Sequence, residues 1–347
     1  MTKILILIKN AHNYSGTEKM ANFMTEVYGF NSQVDIFSLE GKDNQECFYE
    51  FKNINKIYHV NGKKRQLPFL INFINKGRYD FIFVISMGKM SVVFRLISFF
   101  FTSSHTKYIS CEHISLDSFK PIIKKIKILT LKWFDKVVVL TDRDEKNLKG
   151  EGVKAVKISN PIEFKFHKRQ EKTKNILAVG RLEYQKGFDE LLLIWKEFSL
   201  KNPSYKLNIA GDGVLRDKLT TMVQTLEISD SVSFLGKLSN MDDAYSNADI
   251  LVMTSRYEGL PLALLEAKSW SMPIVAFNCP TGPKEIIKNS IDGFLIENRS
   301  YKDFLFALEQ LCSDDDLYFK FSNATFKTYK EFDKKVIIDK WNELIRC

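Results

Sequence analysis

The sequence predicts an α/β protein with two doubly wound, Rossmann-like domains. Short runs rich in Val, Ile and Phe alternate with amphipathic stretches along most of the chain, a pattern typical of parallel sheets covered by helices. Runs such as Ile82–Ile85 are apolar at every position, as expected for strands that are covered on both faces. The chain has 347 residues, and because one core rarely extends past roughly 250–300 residues, two domains are expected.

The predicted strands form two series. The first comprises Ile4–Ile8, Val34–Phe37, Lys56–Val60, Phe81–Ser86, Tyr108–Ser110, Lys136–Leu140 and Val156–Ser159. The second comprises Asn175–Gly180, Tyr205–Ala210, Val232–Leu235, Asp249–Thr254, Pro273–Phe277 and Gly293–Ile296. The charged segment Glu163–Lys174 lies between the series and is predicted to be the interdomain linker. The predicted domains are residues 1–165 and 166–329, followed by an amphipathic helix in 330–347.

Composition excludes several classes of protein. Five scattered cysteines, none in a Cys-x-x-Cys or metal-ligand spacing, indicate neither a disulfide framework nor a zinc site. The apolar core of the first segment, Ile4–Ile8, is too short for a signal peptide, and no apolar run reaches the ~20 residues that span a bilayer. The net charge of +9 favours anionic partners such as nucleic acid, a membrane surface or phosphorylated substrates, and it equally fits a lysine-rich soluble protein.

Ligands of doubly wound sheets bind at the carboxyl ends of strands, so functional residues are expected in the segments that follow the strands. Gly180 ends one strand, and Arg181 and Lys186 follow it before a helix. Two cations beside a helix N-terminus favour a diphosphate site. The alternative interpretation is that both side chains are solvated surface charges. After the next strand, Gly211 and Gly213 allow a ligand to approach the backbone closely.

The Gly-x-Gly loop does not predict a nicotinamide site. Arg216 replaces the third glycine of that fingerprint, and no acid follows the next strand, where Gly236 and Lys237 stand.

Two glutamates follow the strand Asp249–Thr254. Glu258 precedes a helix with Pro261 in its first turn, and Glu266 comes about two turns later. Both carboxylates can accept hydrogen bonds from the hydroxyls of one elongated ligand, while free N–H groups at the helix start face a phosphate. The alternative is that Glu258 is a helix cap and Glu266 a surface residue. The loop after the next strand contains Gly282 and Glu285, and it is the fourth consecutive loop on the same edge of the predicted sheet.

In the first half, Gly16 and Glu18 open a helix after the first strand, and Glu112 and His113 follow a later one. His113 is predicted either to bind a substrate hydroxyl or phosphate or to be structural. The pair Asp142 and Asp144 resembles a metal site, but Thr141 with Asp144 is better explained as a helix cap.

The segment Phe119–Lys136 is basic and amphipathic. Two interpretations stay open: a helix packed on the sheet with solvated lysines, or a basic surface for anionic lipid headgroups or a lipid-diphosphate acceptor. Its lysines are Lys120, Lys124, Lys125, Lys127, Lys132 and Lys136, and its apolar residues at helical spacing are Ile122, Ile126, Leu129 and Trp133.

These motifs together resemble the GT-B retaining glycosyltransferases of family 4, along nearly the whole chain and most strongly from Asn175 to Glu297. The spacing of Glu258 and Glu266 is the most specific feature. The Thr-Gly-Pro loop and the Glu112–His113 pair look like the subgroup that assembles bacterial surface polysaccharides. The family often has Gly-Gly where this sequence has Ser15-Gly16.

The resemblance implies two facing domains with the active site in the cleft between them, and a last helix that crosses back to the first domain. It implies that Arg181 and Lys186 bind the donor diphosphate, Glu258 the donor sugar and Glu266 the ribose. It also implies that the backbone near Leu235 and Gly236 recognises the base, that Gly16 contacts the diphosphate and that His113 lies near the transferred sugar. Further implied donor contacts are Gly180, Gly211, Gly213, Gly259, Leu260, Pro261 and Leu262. The implied acceptor contacts are Glu18, Glu112, Lys120 and Lys124.

The expected activity is retaining transfer of a hexosyl or N-acetylhexosaminyl unit from a UDP-sugar to a glycan or an undecaprenyl-diphosphate-linked glycan. We expect no cofactor, no metal and no nucleic-acid partner. The expected location is the cytoplasm, at an anionic membrane surface on the inner face of the cytoplasmic membrane. A sugar-nucleotide epimerase of the same fold and a catalytically silent nucleotide-sugar-binding subunit stay open as alternatives.

Overall fold

The computed structural model contains two compact units. Residues Met1–Asn160 and Ile337–Cys347 form the first unit, and Pro161–Val336 form the second. The structure describes residues 1–13, 15–42, 45–60, 66–86, 88–116, 119–163, 165, 171–328 and 330–346. Half of the predicted linker, residues 164 and 166–170, lies outside the described residues.

The first unit is built on a parallel sheet of seven strands in the order β3-β2-β1-β4-β5-β6-β7. The strands are β1 (Thr2–Asn10), β2 (Ser32–Glu40), β3 (Lys56–His59), β4 (Phe81–Ser86), β5 (Lys107–Glu112), β6 (Lys136–Val139) and β7 (Ala155–Lys157). The helices are α1 (Gly16–Tyr28), α2 (Gln66–Gly77), α3 (Met90–Ile97), α4 (Pro121–Leu131) and α5 (Asp142–Gly150), and a 3-10 turn, Ser98–Phe100, extends α3.

Helices cover both faces of this sheet, which explains its uninterrupted apolar strands. Ile4 and Ile6 of β1 point into one hydrophobic core, and Leu5 and Leu7 point into the other. Successive side chains of a strand alternate between faces, so a strand buried on both sides needs apolar residues at every position.

The second unit has a parallel sheet of six strands in the order β10-β9-β8-β11-β12-β13. The strands are β8 (Asn175–Val179), β9 (Lys206–Ala210), β10 (Val232–Gly236), β11 (Ile250–Met253), β12 (Ile274–Phe277) and β13 (Gly293–Ile296). The helices that begin in this unit are α6 (Phe188–Lys201), α7 (Arg216–Thr225), α8 (Asp242–Ser246), α9 (Leu262–Ser269), α10 (Pro283–Ile286), α11 (Tyr301–Ser313), α12 (Asp315–Thr328) and α13 (Lys334–Arg346).

The last helix, α13, packs on the first sheet. The ring of Trp341 lies 6.0 Å from that of Phe83, and the Tyr28 hydroxyl donates a 2.8 Å hydrogen bond to the Trp341 carbonyl. Ile337 and Trp341 are buried there. Among the residues that the structure describes, no helix is both long enough and apolar enough to span a bilayer.

Each predicted strand coincides with an observed strand, and only the ends differ by a few residues. The predicted cap of α5 is also confirmed, because the Thr141 hydroxyl accepts a 3.1 Å hydrogen bond from the Asp144 N–H. Asp142 forms an ion pair with Lys157. Pro261 was expected in the first turn of a helix, but it caps α9, which begins at Leu262.

The orientation of α4 differs from the first sequence interpretation, a helix packed on the sheet with solvated lysines. Lys127, expected to be solvated, is buried, whereas the apolar residues Ile122, Ile126 and Leu129 are exposed. Ile128 and Leu131 face the core instead. The reason is an ion pair of 2.7 Å between Lys127 and the buried Glu112, which turns that side of the helix inward.

Candidate active site

The strand order of the second sheet reverses between β8 and β11, which are paired neighbours. Lys186 follows β8 and Glu258 follows β11, and the Lys186 Nζ lies 2.6 Å from the Glu258 Oε1. The two side chains are only 18% and 6% exposed. Ligands of doubly wound sheets bind at such a point of reversal. One partly buried ion pair therefore marks a candidate binding crevice of this unit.

Glycines fix the position of Lys186. It ends a 3-10 turn, and Gly187 then adopts a left-handed conformation with φ of 65°. A side chain at Gly187 would clash with the carbonyl of Thr254, and a Cβ at Gly180 would lie 3.0 Å from the Lys186 Cδ. The absence of side chains at both glycines therefore lets the ammonium reach Glu258.

Glu258 is positioned by the loop after β12. The Thr281 hydroxyl donates a hydrogen bond to the Glu258 carbonyl oxygen. Gly282 has a φ of 94°, and a side chain there would clash with Gly259 and Pro261. The loops after β11 and β12 are thus packed together through their backbones, and Leu260 is buried beneath them.

An arginine network that the sequence analysis missed ties the Glu258 loop to the start of α6. Arg256 donates two hydrogen bonds of 3.0 and 2.7 Å to the Asp189 carboxylate and lies 2.9 Å from Glu190. Arg299 reaches the same Glu190 at 2.8 Å and donates to the carbonyl of Thr254. Burial favours the neutral acid, but the hydrogen bonds and charge of Arg256 hold the pKa of Asp189 below its ordinary value.

Arg256 stands two residues before Glu258, so its position could have drawn attention. Its partners, 67 residues earlier in the chain, could not be found without the fold.

Arg181 is less constrained than Lys186. Its side chain is 65% exposed and forms a 3.0 Å ion pair with Glu183. The Arg181 side chain therefore keeps its conformational freedom, because an exposed ion pair contributes little to holding a side chain in one position.

The predicted Gly-x-Gly loop packs against the loop after β8. A side chain at Gly211 would clash with the Gly180 carbonyl, and one at Gly213 would lie 2.6 Å from the carbonyl oxygen of Leu182. The Gly211 N–H also donates to the carbonyl of Gly236 at 2.8 Å. Packing between loops is thus sufficient to explain the absence of side chains at both positions.

Glu266 lies on α9 and is half-buried. Its Oε2 accepts a 2.8 Å hydrogen bond from the buried Tyr245 hydroxyl, and no sequence pattern predicts this partner. Leu235, near the end of β10 and predicted to lie beside the base, is exposed.

In the first unit, the predicted site residues lie after β1 and at the end of β5, and these two strands flank β4 in the sheet. Gly16 begins α1, and the hydroxyls of Ser15 and Thr17 both donate to the buried Glu18. The Glu18 carboxylate is thus hydrogen-bonded within the first turn of its own helix.

Glu112 is likewise engaged inside the unit. It is paired with Lys127, and its other oxygen accepts a 2.8 Å hydrogen bond from Ser110. His113, the next residue, donates its backbone N–H to Ser86 at the end of β4. Burial lowers the pKa of His113 to about 4, so the ring is neutral at pH 7 and can exchange hydrogen bonds without adding charge.

Lys120 is exposed at the start of α4, and Lys124 is half-buried one turn later. Within the described residues, no group of three or more His, Cys, Asp or Glu side chains could hold a metal ion.

Two comparisons establish the family. The family described as "Glycosyl transferases group 1" matches residues 159–328, which include every predicted site residue of the second unit. The amylovoran biosynthesis glycosyltransferase AmsD of Erwinia amylovora is 32% identical over 358 residues, covering 99% of this chain and 100% of the relative. The chain belongs to the group 1 glycosyltransferases.

This glycosyltransferase is also similar to a further named relative and to a solved structure. An alpha-1,4-N-acetyl-D-galactosaminyltransferase of Campylobacter jejuni, whose name gives an undecaprenol-diphosphate-linked acceptor, is 30% identical over 248 residues, covering 69% of this chain and 68% of the relative. A mutant of TarM from Staphylococcus aureus, crystallised with Fondaparinux, alpha-GlcNAc-glycerol and UDP, matches with a TM-score of 0.84 at 16% identity over 100% of both chains. The latter shows the GT-B fold.

Proposed function

We propose that this glycosyltransferase moves a hexosyl or N-acetylhexosaminyl unit from a UDP-sugar to a glycan or a lipid-linked glycan, with retention at the anomeric carbon. The observation that carries the proposal is the Lys186–Glu258 pair at the reversal point of the second sheet. Lys186 can bind a diphosphate through its ammonium, and Glu258 can accept hydrogen bonds from sugar hydroxyls close by.

The chemistry follows from where charge develops. As the bond between the anomeric carbon and the diphosphate oxygen breaks, the diphosphate gains negative charge. The acceptor oxygen bonds to the anomeric carbon on the same face, and its proton passes to the leaving phosphate. Lys186 is already held in place, so it stabilises this charge without reorganising. Arg181 would add a second cation once it turns from Glu183.

The proposed acceptor belongs to the assembly of a bacterial surface polysaccharide, such as a capsule or the O-antigen of a lipopolysaccharide. The names of the Erwinia and Campylobacter relatives support this, the second through its undecaprenol-linked acceptor. A lipid-linked acceptor would place the protein peripherally on the inner face of the cytoplasmic membrane.

The test is incubation of the purified protein with a panel of UDP-sugars, first alone and then with undecaprenyl-diphosphate-linked acceptors. Transfer should occur only with an acceptor, and NMR should show that the α-configuration of the donor is retained. A new sugar nucleotide formed without acceptor would indicate an epimerase. Binding without turnover would indicate a silent subunit, and a β-linkage would overturn retention.

We also propose that transfer needs no metal ion, because Lys186 and Arg181 can supply the positive charge at the diphosphate. Activity should therefore be unchanged, within about twofold, after dialysis against EDTA and in the presence of the chelator. Loss of transfer that manganese or magnesium restores would contradict this proposal, and zinc-only rescue would do the same.

A further inference from the structure

The first unit carries an exposed apolar surface that its core does not use. Two helical stripes form it, one from α3 with its 3-10 extension and one from α4 with the residues that follow. We call this surface the apolar face. It comprises Val93, Leu96, Phe99, Phe100, Ile122, Ile126, Leu129 and Trp133, all exposed.

The apolar face is a continuous surface at one end. The rings of Phe99 and Trp133 meet edge to face with centroids 5.5 Å apart, which joins the α3 stripe to the α4 stripe. Contiguous exposed apolar surface of this kind marks an interaction site more often than scattered single residues do.

Both helices are fixed from the inside, so the face is preformed. Phe94 and Ile97 of α3 and Ile128 and Leu131 of α4 are buried in one core. Lys127 reinforces this attachment, because its ammonium also donates a 2.6 Å hydrogen bond to the carbonyl of Gly88, just before α3. Neither helix can rotate to hide its outer stripe without breaking the buried Lys127–Glu112 pair, which would leave a buried charge without a partner.

The charged residues of α3 and α4 have one sign. Lys125 is adjacent to Ile126, and Lys132 is adjacent to Trp133; both lysines are exposed, as is Lys120 at the start of α4. The sequences of α3 and α4 contain no Asp or Glu. Asp135, just beyond, is half-buried and accepts a hydrogen bond from the Tyr108 N–H.

We propose that the apolar face inserts into the surface of an anionic phospholipid bilayer. Apolar side chains interleaved with exposed lysines fit a bilayer, whose headgroups are negative and whose acyl chains lie directly beneath. Aromatic rings such as Trp133 favour that boundary. A second copy of this chain fits less well, because the lysines of the two copies would face each other.

This inference deepens the proposed function, since it names the membrane partner of an enzyme whose proposed acceptor is a lipid. Lysines alone would hold the protein at the headgroups and release it in salt. Insertion of the apolar side chains predicts binding that survives moderate salt and that brings Trp133 to the acyl chains.

The test compares three proteins on vesicles of phosphatidylglycerol and phosphatidylethanolamine and on vesicles of phosphatidylcholine alone. The apolar variant carries Phe100→Ser, Ile122→Ser and Leu129→Ser, at sites that are 67%, 75% and 57% exposed. The matched control carries Phe306→Ser, Phe30→Ser and Leu200→Ser, at sites elsewhere that are 59%, 75% and 71% exposed. Melting temperature and UDP affinity verify that these three proteins and the lysine variant described below are folded.

Wild type and control should bind the anionic vesicles with equal affinity. The apolar variant should bind with about 100-fold lower affinity, because each inserted aliphatic or aromatic side chain raises the affinity on the order of tenfold or less. A lysine variant, Lys120→Ser with Lys125→Ser and Lys132→Ser, should also lose about 100-fold at low salt. Binding to phosphatidylcholine alone should be weak for all proteins.

A depth measurement on wild type does not depend on the serine variants. Lipids brominated on the acyl chains should quench the fluorescence of Trp133. Trp133→Phe should remove most of the quenching, since Trp195 and Trp341 are buried and Trp270 is half-buried in the second unit. Equal binding by wild type and the apolar variant, absence of quenching, or dimerisation through this face in place of vesicle binding would each overturn the inference. The assay contains no donor or acceptor, so its result is separate from the outcome of the transfer test.

Discussion

Replacement of Lys186 with alanine is expected to lower kcat by about 100- to 1,000-fold, the usual cost of removing one preorganised charge-stabilising group. Lys186 is held 2.6 Å from Glu258, so its ammonium is in place before the diphosphate begins to leave. The measurement is steady-state transfer from the UDP-sugar that the substrate panel identifies. Arg181→Ala should cost only about tenfold, because the exposed Arg181 must first leave Glu183.

Lys201 provides a matched control for this prediction. It also forms an ion pair, 2.9 Å from Glu309, but it lies on the exposed surface at the end of α6. Lys201→Ala should leave kcat and donor KM unchanged. A near-normal kcat in Lys186→Ala, with the thermal stability retained, would remove Lys186 from the reaction.

The two glutamates should have separable kinetic effects. Glu258→Gln is expected to lower kcat by about 100-fold, because it removes the negative partner of Lys186 and the proposed contact to the reacting sugar. Glu266→Gln should instead raise the donor KM by about tenfold with kcat nearly unchanged, because its proposed partner is the ribose, which does not react. Initial rates over a range of donor concentrations give both constants.

Tyr245→Phe is the control for the Glu266 assignment. It removes the hydroxyl that donates a hydrogen bond to Glu266 and leaves the carboxylate itself in place. A smaller rise in donor KM with the same kcat is expected. If Glu258→Gln and Glu266→Gln changed kcat and KM in the same proportion, the division of roles between sugar and ribose would be wrong.

The place of the site could be predicted from the sequence because it depends on local rules. Strands of the two parallel sheets are short apolar runs, and ligands bind after strands, so the loops with Lys186, Glu258 and Gly282 were found by position alone. The conformation of the loops was only partly predictable. Gly187 and Gly282 have positive φ, but the backbone atoms that exclude a side chain there come from Thr254 and Gly259, on other loops.

Interactions across long stretches of chain could not be predicted. Arg256, Arg299, Asp189 and Glu190 form one network, yet each is an unremarkable charged residue in its own segment. Glu112 was predicted to contact the acceptor, and its ion pair with Lys127 was not predicted. Such pairings require the sheet order, which places the ends of distant strands side by side.

The sequence by itself determined the alternation of strands and helices, the positions of all strands and the family, because burial on both faces of a sheet and short spaced motifs are local properties. Only the tertiary structure decided how α4 is oriented. Its sequence contains apolar residues on more than one side, so the helical period could not select the buried side. The pairing of Lys127 with Glu112 selected it, and that choice left Ile122, Ile126 and Leu129 exposed to solvent.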